Sequence, residues 1–391
     1  MIFKVLFWIF LLTILYTYIG YTSLLLIISL FRRIYGKREI PVIAGFEPEV
    51  TLLIPAFNEA DYIISKVMNS LELNYPPDKL RIVWITDGSN DHTAELLGAF
   101  PEVMVMHEKE RKGKVHAMNR AMKTISTPLA VFTDANTLLN PEAIREITVF
   151  FEDRETGCVT GEKRISGSGP EKAVSAGEGL YWKYESWIKR LESETGSVMG
   201  AVGELFAVRA ELYEEVLEDT LLDDFTVSMK ILKKGFRIRY APNAWGTETA
   251  SLNITEEIKR KTRIAAGGLQ ALTRMPDLLN PFRHGLTSWM YLSHKVLRWT
   301  LVPSAFPLVF ILNLIVLSLP DPGHVYITLF LLQAAYYLFV LAGAILQNVR
   351  VRSKVLFAPY YLFIMNYAVL KGTFLFISGK YSVNWQKIKR G

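Results

Sequence analysis

The sequence predicts a parallel α/β domain held between membrane helices, and three observations carry that expectation. Short Val/Ile-rich runs alternate with helical patterns from residue 50 onward, long uncharged runs sit at both ends of the chain, and polar residues collect where the predicted strands stop. The 391 residues are 50% hydrophobic and 21% charged. That is too apolar for an average soluble enzyme and too charged for a pure membrane bundle.

Taken in order, the uncharged run 5–31 is long enough, at about 1.5 Å per residue, to cross a hydrocarbon core of about 30 Å. The run ends at Phe31 with Arg32 and Arg33 directly after it, in place of the small-residue cleavage site of a signal peptide, so residues 1–36 read as a retained transmembrane helix. Lys4 alone precedes the run, whereas Arg32, Arg33, Lys37 and Arg38 follow it. The positive-inside rule then places the N-terminus outside and residues 40–285 in the cytosol of an integral membrane protein. Strands are expected at 50–54, 80–86, 103–107 and 129–133, with helices at 59–73, from 93, at 114–125 and from 141. In such a three-layer sheet, ligands bind off the carboxyl ends of the strands. Residues 286–391 are expected to hold an interfacial helix, a transmembrane hairpin (299–320 and 325–349, turned by Asp321, Pro322, Gly323 and His324) and a C-terminal membrane-associated segment. That last segment has an uncharged stretch, 355–370, too short for a full crossing, and Lys371 interrupts it. An interfacial or re-entrant helix with a cytosolic C-terminus is the expectation, and a fourth crossing the alternative.

Composition also excludes function classes. Cys158 is the one cysteine, so neither an intramolecular disulfide framework nor a multi-cysteine metal site is possible. The net charge of +6 gathers beside the hydrophobic runs, including Arg350, Arg352 and Lys354, and Lys387, Lys389 and Arg390. Such clusters suit anionic headgroups and not nucleic acid. The six histidines show no metal-ligand spacing.

Four polar constellations remain. Thr86-Asp87-Gly88-Ser89-Asn90-Asp91 reads as a ligand loop or as an Asx turn with a helix cap. Arg111-Lys112-Gly113-Lys114 reads as a phosphate-holding turn or a solvated basic one. Asp134-Ala135-Asn136 offers two hard oxygen ligands, suited to Mg2+ or Mn2+, or caps a strand end. Asp223-Asp224 opens an amphipathic helix, where acids serve as caps or as a general base. Tyr181, Trp182, Tyr184 and Trp187 form an aromatic run whose simpler reading is packing on the sheet or membrane, with sugar stacking as the alternative.

In order and spacing, these segments resemble the membrane-bound family 2 glycosyltransferases, polysaccharide-synthase-like enzymes with a GT-A fold, over about residues 48–270. Pro55-Ala56-Phe57-Asn58-Glu59 resembles the P-x-x-N-E opening, Asp87 to Asp91 the nucleotide loop, and Gly113, Lys114, Ala117 and Asn119 the G-K-x-x-A-x-N helix. Asp134-Ala135-Asn136 stands in the place of the D-x-D metal motif. Gly203 and Glu204 begin a segment similar to the acceptor-side G-x-x-x-x-x-R, ending at Arg209, and Asp223-Asp224 is similar to the E-D pair. The resemblance implies donor binding by Pro55, Asn58, Glu59, Asp87 (to the uracil), Lys114 and Asp134, a divalent metal at Asp134 and Asn136, and Asp224 as the catalytic base. On the acceptor or diphosphate side it implies Gly203, Glu204, Asp223, Arg263, Gly267 and Gly268. The implied reaction is inverting transfer of a sugar from a nucleotide-diphosphate donor, UDP-linked by the same resemblance, to a growing cell-surface polysaccharide or glycan. The chain departs from the pattern at Asn136, at Asp223 and at the Q-x-x-R-W motif, where Arg260 and Ile264 replace Gln and Trp, so processive synthesis does not carry over. The expected partners are a nucleotide sugar donor, a glycan or lipid acceptor and the bilayer, without nucleic acid. Single glycosylation of a membrane lipid is the alternative within the enzyme class. A catalytically silent nucleotide-binding membrane subunit, or a transporter with a regulatory nucleotide-binding domain, is the alternative outside it.

Overall fold

A computed structural model of the chain describes residues 1–35, 45–166, 173–346 and 354–381. The expected basic residues Lys37, Arg38, Arg350, Arg352, Lys387, Lys389 and Arg390 lie outside the described residues. Eight strands form one sheet: β1 (Val50–Ala56), β2 (Leu80–Asp87), β3 (Met104–Glu108), β4 (Leu129–Phe132), β5 (Leu138–Leu139), β6 (Thr156–Ser166), β7 (Phe206–Arg209) and β8 (Arg237–Thr249), in the order β3-β2-β1-β4-β7-β6-β8-β5. The first four strands are mutually parallel, as the βα alternation dictates. Beyond them the sheet is mixed, since β7 runs antiparallel to both β4 and β6 while β6 and β8 are parallel.

β1 is buried along its whole length, and its side chains divide between two cores by the two-residue period of a strand. Leu52 and Ile54 face a core closed by the helices Ala60–Leu71 and Ala143–Thr148. Leu53 faces the other core, with Val83, Ile85, Phe132 and Phe206, and this one continues through Ile188 and Phe225 to Tyr21 and Leu25 of the N-terminal helix and to Met290 and Tyr291. The sheet domain and the apolar helices are therefore packed as one body on that side.

The helices Ile2–Tyr35, His324–Leu346 and Phe357–Ile377 are each long and apolar enough to cross a membrane. The first arm of the expected hairpin departs from a simple span. The helices Leu286–Trp299 and Leu301–Leu317 meet at 57°, because Pro303 has no N–H for the carbonyl of Trp299 and its ring would strike that carbonyl in a straight helix. Asp321 and Gly323 take positive φ in the turn that follows. The C-terminal segment is one uninterrupted helix, Lys354–Ile377, which runs through Lys371. Gly372 seats it against the helix Ile254–Arg274: a Cβ there would stand 2.6 Å from the Ala265 Cβ and 2.7 Å from the Thr262 carbonyl oxygen.

Candidate active site

The carboxyl ends of β1 and β2 carry two loops that hydrogen-bond to each other. Asn58, at φ 54°, donates from Nδ2 to Asn90 Oδ1 (2.7 Å) and accepts from the Asn90 amide (2.9 Å). The Glu59 amide donates to Thr93 Oγ1 (2.9 Å), and Asp91 accepts from the amides of Ala60 (3.2 Å) and Thr93 (3.0 Å). Gly88, at φ 66°, allows the second loop to pass under the third, since a Cβ would lie 2.5 Å from the Arg111 amide nitrogen. Asp87 is buried, and its carboxylate accepts from the amides of Lys112 (2.9 Å) and Gly113 (2.7 Å). Both oxygens are thus engaged in shaping the 111–113 turn. Pro55, Phe57, Asp87, Arg111 and Lys114 line a narrow pocket there, with the Arg111 guanidinium 3.7 Å above the Phe57 ring.

Lys114, at the start of the helix Lys114–Met122, reaches across the strand ends and joins two acids that the sequence keeps far apart. Its Nζ lies 2.9 Å from Asp134 Oδ1 and 3.1 Å from Asp223 Oδ2. Burial opposes the ammonium charge, but these two carboxylates outweigh it and hold the Lys114 pKa above its ordinary value. Asp224 is the next residue of the helix Asp223–Lys233 and accepts from the Phe225 amide (2.7 Å). Gly203 separates Asp224 from Asp134: a Cβ on it would stand 3.3 Å from Asp224 Oδ2 and 3.9 Å from Asp134 Oδ2. Burial, and then the charge of Asp223, push the Asp224 carboxyl up to about 7.

These groups floor a cavity of about 280 Å3, also lined by Asn136, Glu204 and Arg263. Glu204 is ion-paired to the buried Lys163, which also lies 3.1 Å from Glu248. Burial works against the charge of Glu204, yet Lys163 prevails and holds its pKa at about 2. Arg263 Nη2 approaches the Leu221 carbonyl at 3.4 Å. Gly267 and Gly268 are absent from the cavity wall and act by close approach. A Cβ on the first would meet Leu222 at 2.7 Å, and one on the second would meet the Trp299 ring at 2.6 Å.

Among the described residues, no three His, Cys, Asp or Glu side chains form a preformed metal cage. One carboxylate, Asp134, and one amide, Asn136, on a shared wall fit a hard cation that arrives largely on the oxygens of a bound diphosphate.

The structure adds Lys66, which local pattern did not single out, and shows what the polar face of the helix near residue 294 meets. Fully buried Lys66 sits behind Asp134, donating to Thr133 Oγ1 (3.3 Å) and to the Thr137 carbonyl. Burial lowers its pKa to about 7, against the charge of Asp134. The polar stripe of the helix Leu286–Trp299 turns inward: His294 pairs with Glu192 (2.6 Å) and Glu185 (3.2 Å), and Arg298 with Glu185. The aromatic run divides. Tyr181 and Trp182 line the cavity, whereas Tyr184 donates to the Tyr18 carbonyl (2.6 Å) and Trp187 is 44% exposed. Trp299, which packs on Phe225 with ring centroids 5.2 Å apart, lines the same cavity as Ile264.

Comparison with known proteins identifies relatives of the chain. The chain is 30% identical over 258 residues to poly-beta-1,6-N-acetyl-D-glucosamine synthase from Staphylococcus aureus, covering 61% of each chain. It is 27% identical over 235 residues to the synthase of that name from Staphylococcus epidermidis, covering 58% of this chain and 56% of the relative. The chain thus matches about 61% of the length of the first of these relatives. A mannosyltransferase from Pyrobaculum calidifontis, solved with GDP-Man and Mn2+, superposes with a TM-score of 0.70 over 96% of this chain and 100% of that one, at 20% identity. That likeness shows the GT-A fold with its flanking helices. Residues 48–267 match the family described as glycosyltransferase like family 2, and the chain belongs to that family.

Proposed function

We propose that the chain is an inverting glycosyltransferase that moves a sugar from a UDP-linked donor to a hydroxyl of a cell-surface glycan. The observation that carries this reading is the placement of Asp224 across Gly203 from the Lys114–Asp134 pair. A donor diphosphate at Lys114 then puts its anomeric carbon within reach of an acceptor hydroxyl on Asp224. Asp224 takes the proton from that hydroxyl, the new glycosidic C–O bond forms on the face opposite the leaving group, and the old C–O bond breaks with its electron pair going to the diphosphate. A carboxyl brought near neutrality can accept a proton without being locked as a spectator anion. Asp134 and Asn136 would hold a divalent cation, which when bound would supply positive charge to the leaving diphosphate, and Mg2+ and Mn2+ both suit that donor set.

Pro55 and Phe57 shape the base pocket with Arg111. Asn58 and Glu59 set the β1 loop, and Asp87 serves donor binding by fixing the 111–113 turn through its two amide bonds. Gly203, Glu204, Asp223 and Arg263 form the acceptor and diphosphate side, supported by the close helix packing at Gly267 and Gly268. The N-terminus lies outside and residues 40–285 in the cytosol, where nucleotide sugars are found. Arg32 and Arg33 at the end of the helix Ile2–Tyr35 support that orientation. Detergent-purified protein offered a panel of nucleotide sugars with Mg2+ or Mn2+, followed by product sizing, tests the reading. Release of the nucleoside diphosphate coupled to glycan growth is expected. A protein that binds nucleotide sugar but transfers nothing to any acceptor would be the silent subunit instead.

A further inference from the structure

Lys66 is a buried titratable group beside the site that the proposed reaction does not use. It belongs to the helix Ala60–Leu71, is 0% exposed, and forms no part of the wall of the cavity floored by Lys114, Asp134 and Asp224. Its ammonium rests on two neutral oxygens, Thr133 Oγ1 (3.3 Å) and the Thr137 carbonyl. An ammonium buried on neutral oxygens is a poor source of stability. What it holds in place is therefore the more informative question.

The two oxygens stand at the two ends of the segment 133–137, which joins β4 to β5 and carries Asp134 and Asn136 between them. Lys66 thus closes this loop from behind, while Lys114 meets Asp134 from the cavity at 2.9 Å. An ammonium can only donate, so Thr133 Oγ1 must accept from it and is left to direct its own proton elsewhere. That proton goes to the Glu204 carbonyl oxygen, 2.8 Å away. Glu204 follows Gly203, the residue across which Asp224 and Asp134 face each other. Close packing holds the same corner: a Cβ on Gly246 would stand 2.5 Å from Thr137 Cγ2 and 3.4 Å from the Glu204 carbonyl oxygen.

We propose that Lys66 is a positioning residue for transfer: through Thr133 it fixes the separation between Asp134 and Asp224, the acids that face each other across Gly203. The inference rests on the transferase reading above and adds to it a residue that touches neither donor nor acceptor. Without the ammonium, both ends of the 133–137 loop are released and the Thr133 hydroxyl is free to turn away from Glu204. The gap that the reacting atoms must fit is then no longer set, and misplacement of that kind slows the bound complex more than it hinders its formation. The pocket lined by Pro55, Phe57, Asp87 and Arg111 is built by other loops and stays as it was.

The test measures kcat and donor KM of the detergent-purified full chain, with the donor and acceptor that the nucleotide-sugar panel identifies, in Lys66→Met, Thr133→Val, Thr133→Ser and the Lys66→Met/Thr133→Val double variant. Lys66→Met keeps an unbranched side chain without the charge, and Thr133→Ser keeps the hydroxyl. In Lys66→Met and in Thr133→Val, kcat should fall about tenfold or more while donor KM stays within about threefold. Thr133→Ser should stay within about twofold of the parent, and the double variant should fall no further than the worse single one, because the two residues act as one unit. Calorimetric titration with UDP in the presence of chelator should give every variant the parent affinity within about threefold, which reports that it is folded. If Lys66→Met does not bind UDP it has not folded, and the Thr133→Val and Thr133→Ser pair decides by the same criteria. A folded Lys66→Met with the parent kcat, losses that multiply in the double variant, or a Thr133→Ser as slow as Thr133→Val would overturn the proposal and leave the transferase reading standing. A parent that transfers nothing from any nucleotide sugar would remove the transferase reading, and this proposal with it.

Discussion

On the donor side of the cleft, the hydrogen bonds that join the β1 and β2 loops, and those that Asp87 makes to the third, link residues 25 to 34 positions apart. On the opposite, proposed acceptor side, where the apolar helices dock on the cavity, Tyr21, Glu185, Glu192, His294 and Arg298 make contacts spanning 102 to 171 positions. The donor side is built by neighbouring βα units and stays correct as long as each unit does. The acceptor side exists only when the N-terminal helix, the helix Ala173–Thr195 and the bent helix Leu286–Trp299 have docked. In the proposed reading, chemistry toward the nucleotide is therefore held by local geometry, and chemistry toward the acceptor by the junction with the apolar helices.

The contrast breaks most sharply at Glu185. Burial opposes its charge, but Arg298 and His294 prevail and keep its pKa well below the ordinary carboxylate range. Glu185→Ala leaves Arg298 buried without its partner, so a stability loss of about 3–5 kcal/mol is expected in detergent unfolding curves. A variant that unfolds with the parent would show that the acceptor wall does not depend on this network.

Asp224→Asn should come next, lowering kcat by at least about 10²-fold while donor affinity stays within a few-fold. In the parent, kcat should rise as pH passes through about 7, because below that value Asp224 keeps its proton and cannot take another. Linkage adds a stability sign. The folded pKa lies above the ordinary carboxylate value, so folding favours the protonated form and the parent loses stability as pH rises toward about 7. The Asn variant, free of that loss, should therefore melt higher than the parent above pH 7. A flat pH profile with retained turnover would return Asp224 to the role of a helix cap.

A smaller effect is expected at Asp134. Replacement by Ala should weaken nucleotide-sugar binding by roughly tenfold when Mn2+ or Mg2+ is present, and chelator should bring the parent to the same affinity. Calorimetric titrations with and without cation decide it, and indifference of both proteins to chelator would end the metal assignment.

The smallest effect belongs to the locally built side. Asn58→Ala removes two hydrogen bonds at a residue with φ 54°, and a loss of about 1 kcal/mol is expected with little change in kcat. A stability loss as large as that of Glu185→Ala would erase the proposed difference between the two sides.

How far the sequence could be read follows the same division. The four parallel strands, the loops at Pro55, Asp87 and Gly113, and the motif order that placed the chain among family 2 glycosyltransferases were legible, because a strand's end and the turn after it are fixed by residues adjacent in the chain. Amphipathic spacing likewise found the helices at residues 114, 223 and 286. It could not say that the polar stripe of the last turns inward onto Glu185 and Glu192, since periodicity shows that a helix has two faces and not what each face meets. Nor could it show Lys114 standing between Asp134 and Asp223, or Asp87 spending both oxygens on backbone amides. The sequence alone determined the parts whose partners are near in the chain, and it put acids at Asp134, Asp223 and Asp224. Tertiary packing alone decided the rest: the mixed half of the sheet, the bend ahead of Pro303, and the place of Lys66 behind Asp134. Contacts between distant segments form only where buried helices choose their neighbours by shape and charge, and that choice is written in no single stretch of residues.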